Sequence, residues 1–586
     1  MSDKKIKFKT RFRVILRHLP KYKKYLIFGV FAVIGANSLM LINPYLLKNA
    51  FDKLENKAPS GEILSIALLI VTLAISSGVC RFAMRRSIIW MSRFLEYNLR
   101  GELFSHLLKL NPTFYHNNKT GDIMARTTND IEAVRMMIGP GIMHIGNAII
   151  STLIAISFMM YLSPKLTLYS LIPLPIMSFA ANKLVMIIHR RFMKIQEYFG
   201  ILTSRVQENI SGVRVVRAYN QEEAEIENFS GHTHKYINLN MSLIKVNAVF
   251  FPILFMLAGS VNLMVLYFGG KGVIAGEISL GTLVAFFAYL TLLIWPMIAM
   301  GWVVSLYQRG TASLDRINRI LNSKPEVASQ DDAVKADNIK GKIEFRNLDF
   351  SYNGAKVLHD INLTIEPGQT IGIVGPTASG KSTLISLIGR LYPIPEGKLF
   401  IDDIDINKWD LQTLRHRIGF VPQEPFLFSD TITRNILFGI ENKNRTTAEK
   451  AAVVAVIDKE IKEFPDNYET ILGERGITLS GGQKQRMTLA RAIANDPRIL
   501  ILDDATSSVD TETEHQINDR LQSEINQRTS IIISHRASAV KTANMIIYMD
   551  KGTIAESGSH EQLMNLDGEY ARLYKMQLIE EELKRM

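Results

Sequence analysis

Six apolar stretches constrain this chain more than any other feature, because each is near or beyond the roughly 20 residues that a helix needs to cross a bilayer. They fall near residues 25–47, 63–85, 140–162, 166–187, 248–269 and 279–306. Backbone amides have no water to bond in hydrocarbon, so segments of this composition are expected to fold as helices. Pro44, Pro173, Pro175, Pro252 and Pro296 fall inside them and are tolerable within a helical bundle. The first stretch is too long for a signal-peptide core and no small-residue cleavage site follows it, so the first helix is expected to insert and stay.

Charge sets the sidedness of these spans. Residues 1–24 carry ten Lys and Arg against a single acid, Asp3, directly before the first apolar run. The gap 48–62 balances three Lys against three acids, whereas the long gaps near 86–139 and 188–247, with their borders, hold Arg85, Arg86, Arg93, Arg100, Arg126, Arg190, Arg191, Arg214 and Arg217. The N-terminus, both long gaps and the second half of the chain are therefore expected in the cytoplasm. Much of the net charge of +12 sits in these flanks, and no basic face interleaved with aromatics exists, so nucleic acid is not an expected partner. A single cysteine, Cys80, excludes an intramolecular disulfide.

The long gaps keep helical periodicity, as in Leu95, Leu99, Leu103 and Leu107. The membrane helices are thus expected to run on into the cytoplasm, turn and come back. The expected organisation is a basic segment 1–24, a membrane domain 25–310, a linker 311–340 and a soluble domain 341–586. The run Ser329–Asp337 has linker composition, and the strand-then-helix patterns after Ile343 predict a parallel sheet covered by helices.

The soluble domain carries the chemistry. Gly375-Pro376-Thr377-Ala378-Ser379-Gly380-Lys381-Ser382 fits G-x-x-x-x-G-K-[ST], between the apolar run Ile371–Val374 and a helical pattern that opens with Ser382-Thr383-Leu384. Backbone N–H groups of such a loop cradle phosphates at a helix N-terminus, Lys381 reaches the outer phosphates and the Ser382 hydroxyl ligates Mg²⁺. Ile499-Leu500-Ile501-Leu502-Asp503 reads as a buried parallel strand delivering Asp503 to the sheet edge where ligands bind. Asp503 is the natural Mg²⁺ partner, and ATP with Mg²⁺ is the expected ligand pair.

Leu479-Ser480-Gly481-Gly482-Gln483 resembles the signature of ATP-binding cassette (ABC) proteins. The resemblance implies that Ser480, Gly481, Gly482 and Gln483 meet the γ-phosphate of ATP held by an opposite cassette. Further matches follow in family order. Tyr352 resembles the aromatic that stacks on adenine, and Gln423 the glutamine that contacts Mg²⁺ and senses the membrane domain. Glu474 resembles the acid that contacts the opposite subunit's loops, Asp510 the loop linking two ATP sites, and His535 the switch histidine at the γ-phosphate. Phe114-Tyr115 through Thr120-Gly121-Asp122-Ile123, Asn129-Asp130, and Glu208-Asn209 through Ala218-Tyr219 resemble the two cytoplasmic loops of exporters, which end in short coupling helices. The resemblance implies a six-helix membrane domain of exporter type, extended into the cytoplasm and fused to an α/β P-loop cassette.

Two departures stand out. The family usually places Glu after the Mg²⁺ aspartate to polarise the attacking water, and this chain has Asp504. Its carboxylate sits on a stem shorter by roughly 1 Å, and misplacement on that scale can cost about 10²-fold in rate. Ala378 stands where the family commonly has Gly, which asks for a local adjustment of the loop. With the other motif residues intact, the pattern resembles the degenerate-site half of a heterodimeric bacterial multidrug exporter, whose partner half-transporter carries the Glu. The alternatives are a homodimer in which Asp504 still works as base, or a nucleotide-gated regulator on the same scaffold. The spans contain no acid at mid-depth, and Met, Phe, Trp295, Trp302 and polar groups such as Asn37, Asn147 and Tyr289 suit amphipathic drugs or lipids. The expected location is the bacterial plasma membrane, in contact with its lipids.

Overall fold

The computed structural model describes residues 11–336, 338–352, 354–441, 444–473, 476, 479–525 and 528–585, without the side chains of 174–178, 181, 182, 251, 254, 294, 295, 297, 298, 300, 511, 523, 580–582, 584 and 585. The chain divides into two compact units, Met1–Leu108 with Lys119–Ser323, and Lys109–Asn118 with Lys324–Met586.

The first unit is helical throughout. Each of the six apolar stretches lies in one long helical rod: 13–55, Ser60–Leu107, 120–162, 164–211, Glu222–Ile274 and Leu280–Leu321. Among the described residues four of them (13–55, 60–107, 120–162 and 222–274) are long and apolar enough to cross a membrane, and Leu280–Leu293 adds a shorter apolar run. Ser60–Leu107 has 48 residues. At 1.5 Å per residue that is about 70 Å, more than twice the hydrocarbon thickness, so the helix continues into water. Its Leu95, Leu99, Leu103 and Leu107 are all buried on one stripe, as the periodicity predicts. Short helices, Pro112–Asn117 and Val213–Ala218, lie where the two long gaps turn. Leu280–Leu321 stays helical through the residues expected to begin the linker.

Side-chain locks tie these rods together outside the apolar stretches. Arg126–Asp130 is a π-helical segment, a form that recurs where a helix must re-aim a side chain. Here Asp130 is turned inward and buried. It accepts from Ser313 Oγ at 2.9 Å and from both Nε and an Nη of Arg316 at 2.8 and 2.5 Å. Part of the basic N-terminus is likewise spent internally, with Arg11 paired to Asp315 and Arg17 and His18 to Glu102. Tyr289, one of the polar groups expected to suit an amphipathic ligand, is instead fully buried and donates to the Leu41 carbonyl at 3.0 Å, a packing role.

The second unit holds two sheets. One has β1 (Ile343–Tyr352), β2 (Ala355–Ile365), β4 (Leu399–Ile401) and β5 (Ile404–Asp405) in the order β2-β1-β4-β5. The other contains β3 (Thr370–Val374), β6 (Ile418–Val421), β7 (Ile499–Asp503), β8 (Thr529–Ile533), β9 (Met545–Asp550) and β10 (Thr553–Gly558). Its order is β10-β9-β3-β8-β7-β6, parallel except for the edge strand β10. All five residues of β3 and of β7 are buried, the signature of a parallel sheet covered on both faces. The segment from Lys324 packs on this unit, with Val334 bridged to Trp409.

Asp130→Ala leaves Arg316 and Ser313 without their acceptor. It is expected to destabilise the first unit by about 2 kcal/mol, less than for a fully buried ion pair because Arg316 keeps access to water. A lowered thermal midpoint of the purified full-length protein, with Ser313→Ala giving a smaller shift, checks this.

Candidate functional site

Register places the site. Ile373 of β3 and Asp503 of β7 both pair with Ile533 of β8, so the C-terminal ends of three adjacent parallel strands lie level. The phosphate loop follows β3, Asp503 and Asp504 end β7, and Ser534-His535 follow β8. Gln423 follows β6 beside them, since Val421 pairs with Leu502. This is the edge of a parallel sheet where loops converge and ligands bind.

The loop is built from left-handed backbone. Gly375 has φ +144°, Ala378 +65° and Gly380 +98°. A Cβ on Gly375 would meet the Met549 carbonyl oxygen at 2.1 Å, so only glycine lets the loop leave β3 here. Ala378 therefore departs from glycine at a position where glycine would relieve strain, at a cost of about 1 kcal/mol. Such backbone turns successive N–H groups inward, a nest for an anion. Ser379, Gly380 and Lys381 are buried, whereas Thr377 and Ala378 are exposed, Thr383 is half-buried and Ser382 faces outward. Lys381 Nζ donates to the carbonyls of Gly375 at 2.9 Å and Pro376 at 2.7 Å, with Ser379 Oγ at 3.4 Å. Burial pushes its ammonium below the ordinary lysine range, and the charges of Asp503 and Asp504 partly restore it.

The two carboxylates differ. Asp503 is buried, and burial pushes its carboxyl above the ordinary aspartate range. A hydrogen bond from Ser382 opposes that rise, while the Asp504 charge adds to it. Asp504 is half-buried with φ +51°, a left-handed conformation that Asp enters more readily than most residues. Its N–H donates to the Ile533 carbonyl at 2.9 Å, and its own carbonyl accepts from Ser507 Oγ at 3.1 Å and more weakly from Gln485 Nε2 at 3.4 Å. Gln485 also donates to Ser507 Oγ at 2.8 Å and accepts from the Ser508 N–H. Gln485 thus holds the turn that aims Asp504. Sequence reasoning missed it, since nothing in its spacing marks one polar residue in a polar helix as the brace of a distant turn.

The remaining candidates take separate places. Gln423 and His535 are exposed beside the edge, and the His535 carbonyl accepts from Gln577 at 2.7 Å. Tyr352 ends β1, edge-on to Tyr392 at 5.0 Å, with its hydroxyl 3.4 Å from Thr383 Oγ1 in the helix that the loop opens. A cavity of about 680 Å³ opens beside Tyr352 and Tyr392, and Thr113 and His116 of helix Pro112–Asn117 line it too. Those two were also missed, because only the folded chain brings the first long gap to this wall. Ser480 caps helix Gly481–Ala494, reciprocally with Gln483, and the Gln483 amide also donates to Glu460 at 2.8 Å. Gln483 thus has both ends of its amide engaged in fixing the helix start. A Cβ on Gly482 would meet the Ser508 carbonyl oxygen at 2.9 Å, so the helix start packs directly on the segment after Asp504. Among the described residues no hydrogen bond joins Ser480–Gln483 to the phosphate loop. Asp510 is exposed and accepts from the Thr513 N–H at 2.9 Å, which holds its carboxyl below the ordinary range. Glu474 lies outside the described residues.

These residues fit a nucleotide with Mg²⁺. Lys381 is a buried cation held only by neutral oxygens, and Asp503 is a buried carboxylate with a hydroxyl and no ion-paired cation among the described residues. Each feels the other's charge without forming an ion pair, so Lys381 is open to a phosphate and Asp503 to a cation, the demand that a magnesium-phosphate ligand meets. Among the described residues no three His, Cys, Asp or Glu gather as a metal site.

Comparison with known proteins agrees with both units. Residues 26–297 match the model for the ABC transporter transmembrane region and residues 358–507 the model described as ABC transporter. The chain is 37% identical over 555 residues to the probable multidrug resistance ABC transporter ATP-binding/permease protein YheI of Bacillus subtilis, covering 94% of each. It is 35% identical to the multidrug resistance-like ATP-binding protein MdlA of Escherichia coli, covering 92% of each. It is 33% identical to the ATP-dependent lipid A-core flippase of Desulfotalea psychrophila, covering 95% of this chain and 97% of the other. The solved structure of a bacterial Atm1-family ABC exporter with ATP bound superposes with a TM-score of 0.80 at 25% identity, over 95% of this chain and 98% of that one.

The raised Asp503 carboxyl has a stability consequence. The native state holds this proton more tightly than the unfolded chain, so stability falls as pH rises from the ordinary aspartate value through the raised one. Asp503→Asn removes that cost. The nucleotide-free variant is expected to melt higher than the parent at pH 7, with the gain shrinking as pH is lowered toward the ordinary aspartate range. Thermal melts at several pH values check the sign, and an unchanged midpoint at pH 7 would show that Ser382 and Lys381 compensate the buried charge in full.

Proposed function

The chain belongs to the ABC transporter family, with transmembrane and ATP-binding regions fused in one polypeptide, and on that premise we propose that it is one half of a dimeric exporter of amphipathic small molecules whose own ATP site is degenerate. Its place would be the bacterial inner membrane, with the N-terminus and the cassette in the cytoplasm. The names of its relatives, multidrug proteins and a lipid A-core flippase, support amphipathic cargo.

One observation carries the degenerate-site reading. Asp504 stands beside the buried Asp503 in a turn braced by Gln485, while Lys381, Ser382, Gln423 and His535 keep the family's residue types along the same sheet edge. The turn fixes the backbone, so the shorter stem of Asp504 is not made good by a backbone shift. In this reading Tyr352 stacks on the base in the cavity beside it, and the loop N–H groups with Lys381 hold the phosphates. Ser382, Asp503 and Gln423 would hold Mg²⁺, which would supply positive charge against the phosphates. Gln423 and His535 orient the γ-phosphate, and Asp504 reaches for the water from about 1 Å too far. Ser480, Gly481, Gly482 and Gln483 serve the partner's ATP, and Asp510 links the two sites. Closing the cassettes on ATP would open the cavity outward, and hydrolysis at the partner's Glu-bearing site would reset it.

The test is Mg-ATP hydrolysis by this chain purified alone and with a candidate partner chain carrying Glu. Low activity alone is expected, raised about 10²-fold or less by Asp504→Glu, restored by the partner, and lost again on Ser480→Arg in this chain. Vigorous activity alone that Lys381→Ala abolishes would make Asp504 a working base and the exporter a homodimer. Ion conductance without turnover would point to the nucleotide-gated regulator.

A further inference from the structure

His535 stands exposed beside the sheet edge, close enough to Asp503 to act on its carboxyl electrostatically. Strand β8 ends two residues earlier, at Ile533. The backbone that carries His535 has therefore left the ladder that would otherwise fix it, and its peptide groups need other partners. What supplies them decides where the imidazole points.

Three contacts do so. The Arg536 N–H donates to Ser534 Oγ at 3.0 Å. The Arg536 guanidinium pairs with Glu514, a buried acid that also accepts from Thr506 Oγ1 at 2.9 Å, two residues after Asp504. The third contact comes from Gln577, 42 residues on from His535. Its Nε2 donates to the His535 carbonyl at 2.7 Å, and its Oε1 accepts from the Ala537 N–H at 2.7 Å. One side-chain amide thus takes the C=O and the N–H on either side of Arg536, the pair of groups that a parallel neighbouring strand would take. Because one partner only accepts and the other only donates, the amide can lie only one way round.

The helix that presents Gln577 is itself anchored. Glu569–Arg585 begins with the Glu569 and Tyr570 N–H groups on the Glu556 carboxylate, at 2.6 and 3.1 Å. Tyr570 is fully buried, in one apolar cluster with Ala537, Val540 and Val374, the last residue of β3 before the phosphate loop. Tyr574 and Gln577 extend the Tyr570 face at steps of four and three residues. The bland role for Gln577 is to tether this helix to the cassette. A tether needs a hydrogen bond anywhere on that surface, whereas Gln577 commits both ends of its amide to the two peptide groups that bracket Arg536.

We propose that Gln577 is a positioning residue for His535: by clamping the His535 carbonyl and the Ala537 N–H it fixes the backbone from which the imidazole meets the γ-phosphate, so the C-terminal helix sets how well this site tells ATP from ADP. The proposal rests on the reading above that His535 meets the γ-phosphate of the nucleotide on this chain's own phosphate loop. It does not depend on whether Asp504 supports hydrolysis or on which chain is the partner.

The test is nucleotide binding to the full-length protein purified alone, with Mg²⁺, reading displacement of a fluorescent ADP by ADP and by the non-hydrolysable ATP analogue adenylyl imidodiphosphate. The parent is expected to prefer the triphosphate, and His535→Ala to lose most of that preference. Gln577→Met, nearly the same size but without the amide, should lower the preference by a similar factor, about tenfold or less, with ADP affinity unchanged. Gln577→Glu keeps the acceptor for Ala537 and loses the donor to His535, so it should fall between. Adding Gln577→Met to His535→Ala should change nothing further, because the amide acts through the imidazole. Equal weakening of both nucleotides in Gln577→Met or Gln577→Glu would mark a tether and overturn the proposal. So would an intact preference in both variants while His535→Ala abolishes it, or a further loss of preference in the double variant. An unchanged preference in His535→Ala itself would instead remove the γ-phosphate reading of His535, and the proposal with it.

Discussion

Hydrocarbon offers no partner for a backbone amide, and that constraint governs the membrane half of this protein. Each span must close its hydrogen bonds within itself, so it is a helix, and a helix once started continues until something stops it. Nothing stops Ser60–Leu107 for 48 residues. Rods of that length leave the membrane still intact, and their cytoplasmic parts must then be held by side chains. Asp130, Arg316 and Ser313 do this where one helix relaxes into a π-helical segment to turn its carboxylate inward.

In the cassette the governing constraint is electrostatic. A parallel sheet buried on both faces can carry charge only at its strand ends, and here β3, β8 and β7 end on one level. Lys381 and Asp503 are each buried there without a full counter-charge. The free protein bears that cost, and a ligand combining phosphate with a divalent cation relieves both at once. The two halves therefore share a logic: unmatched charge at the site, and matched charge where only architecture is at stake.

Much of this was legible in the residues. Apolar runs longer than 20 residues specify helices by length alone, and the spacing of Leu95, Leu99, Leu103 and Leu107 marked the buried stripe that the structure contains. The glycine-rich loop between an apolar strand and a helix was legible because its backbone geometry depends on residue type locally. Other features were not legible for a definite reason. Gln485 braces Asp504 through a turn 19 residues away, and Thr113 and His116 reach the wall beside Tyr352 from the first long gap. Tyr289, a polar group suited by type to an amphipathic ligand, is packed against the Leu41 carbonyl instead. In each case the role depends on a neighbour remote in sequence.

By itself, then, the sequence determined the helices, the phosphate loop, the strand ending in Asp503 and the missing methylene at Asp504, because these follow from local composition and covalent structure. Only the tertiary structure decided that residues 109–118 pack with the cassette unit. It also decided that Asp504 sits at φ +51° in a braced turn, and that Gln483 is engaged in a helix cap. These were decided there because the place a side chain takes is set by which elements, remote in sequence, pack around it.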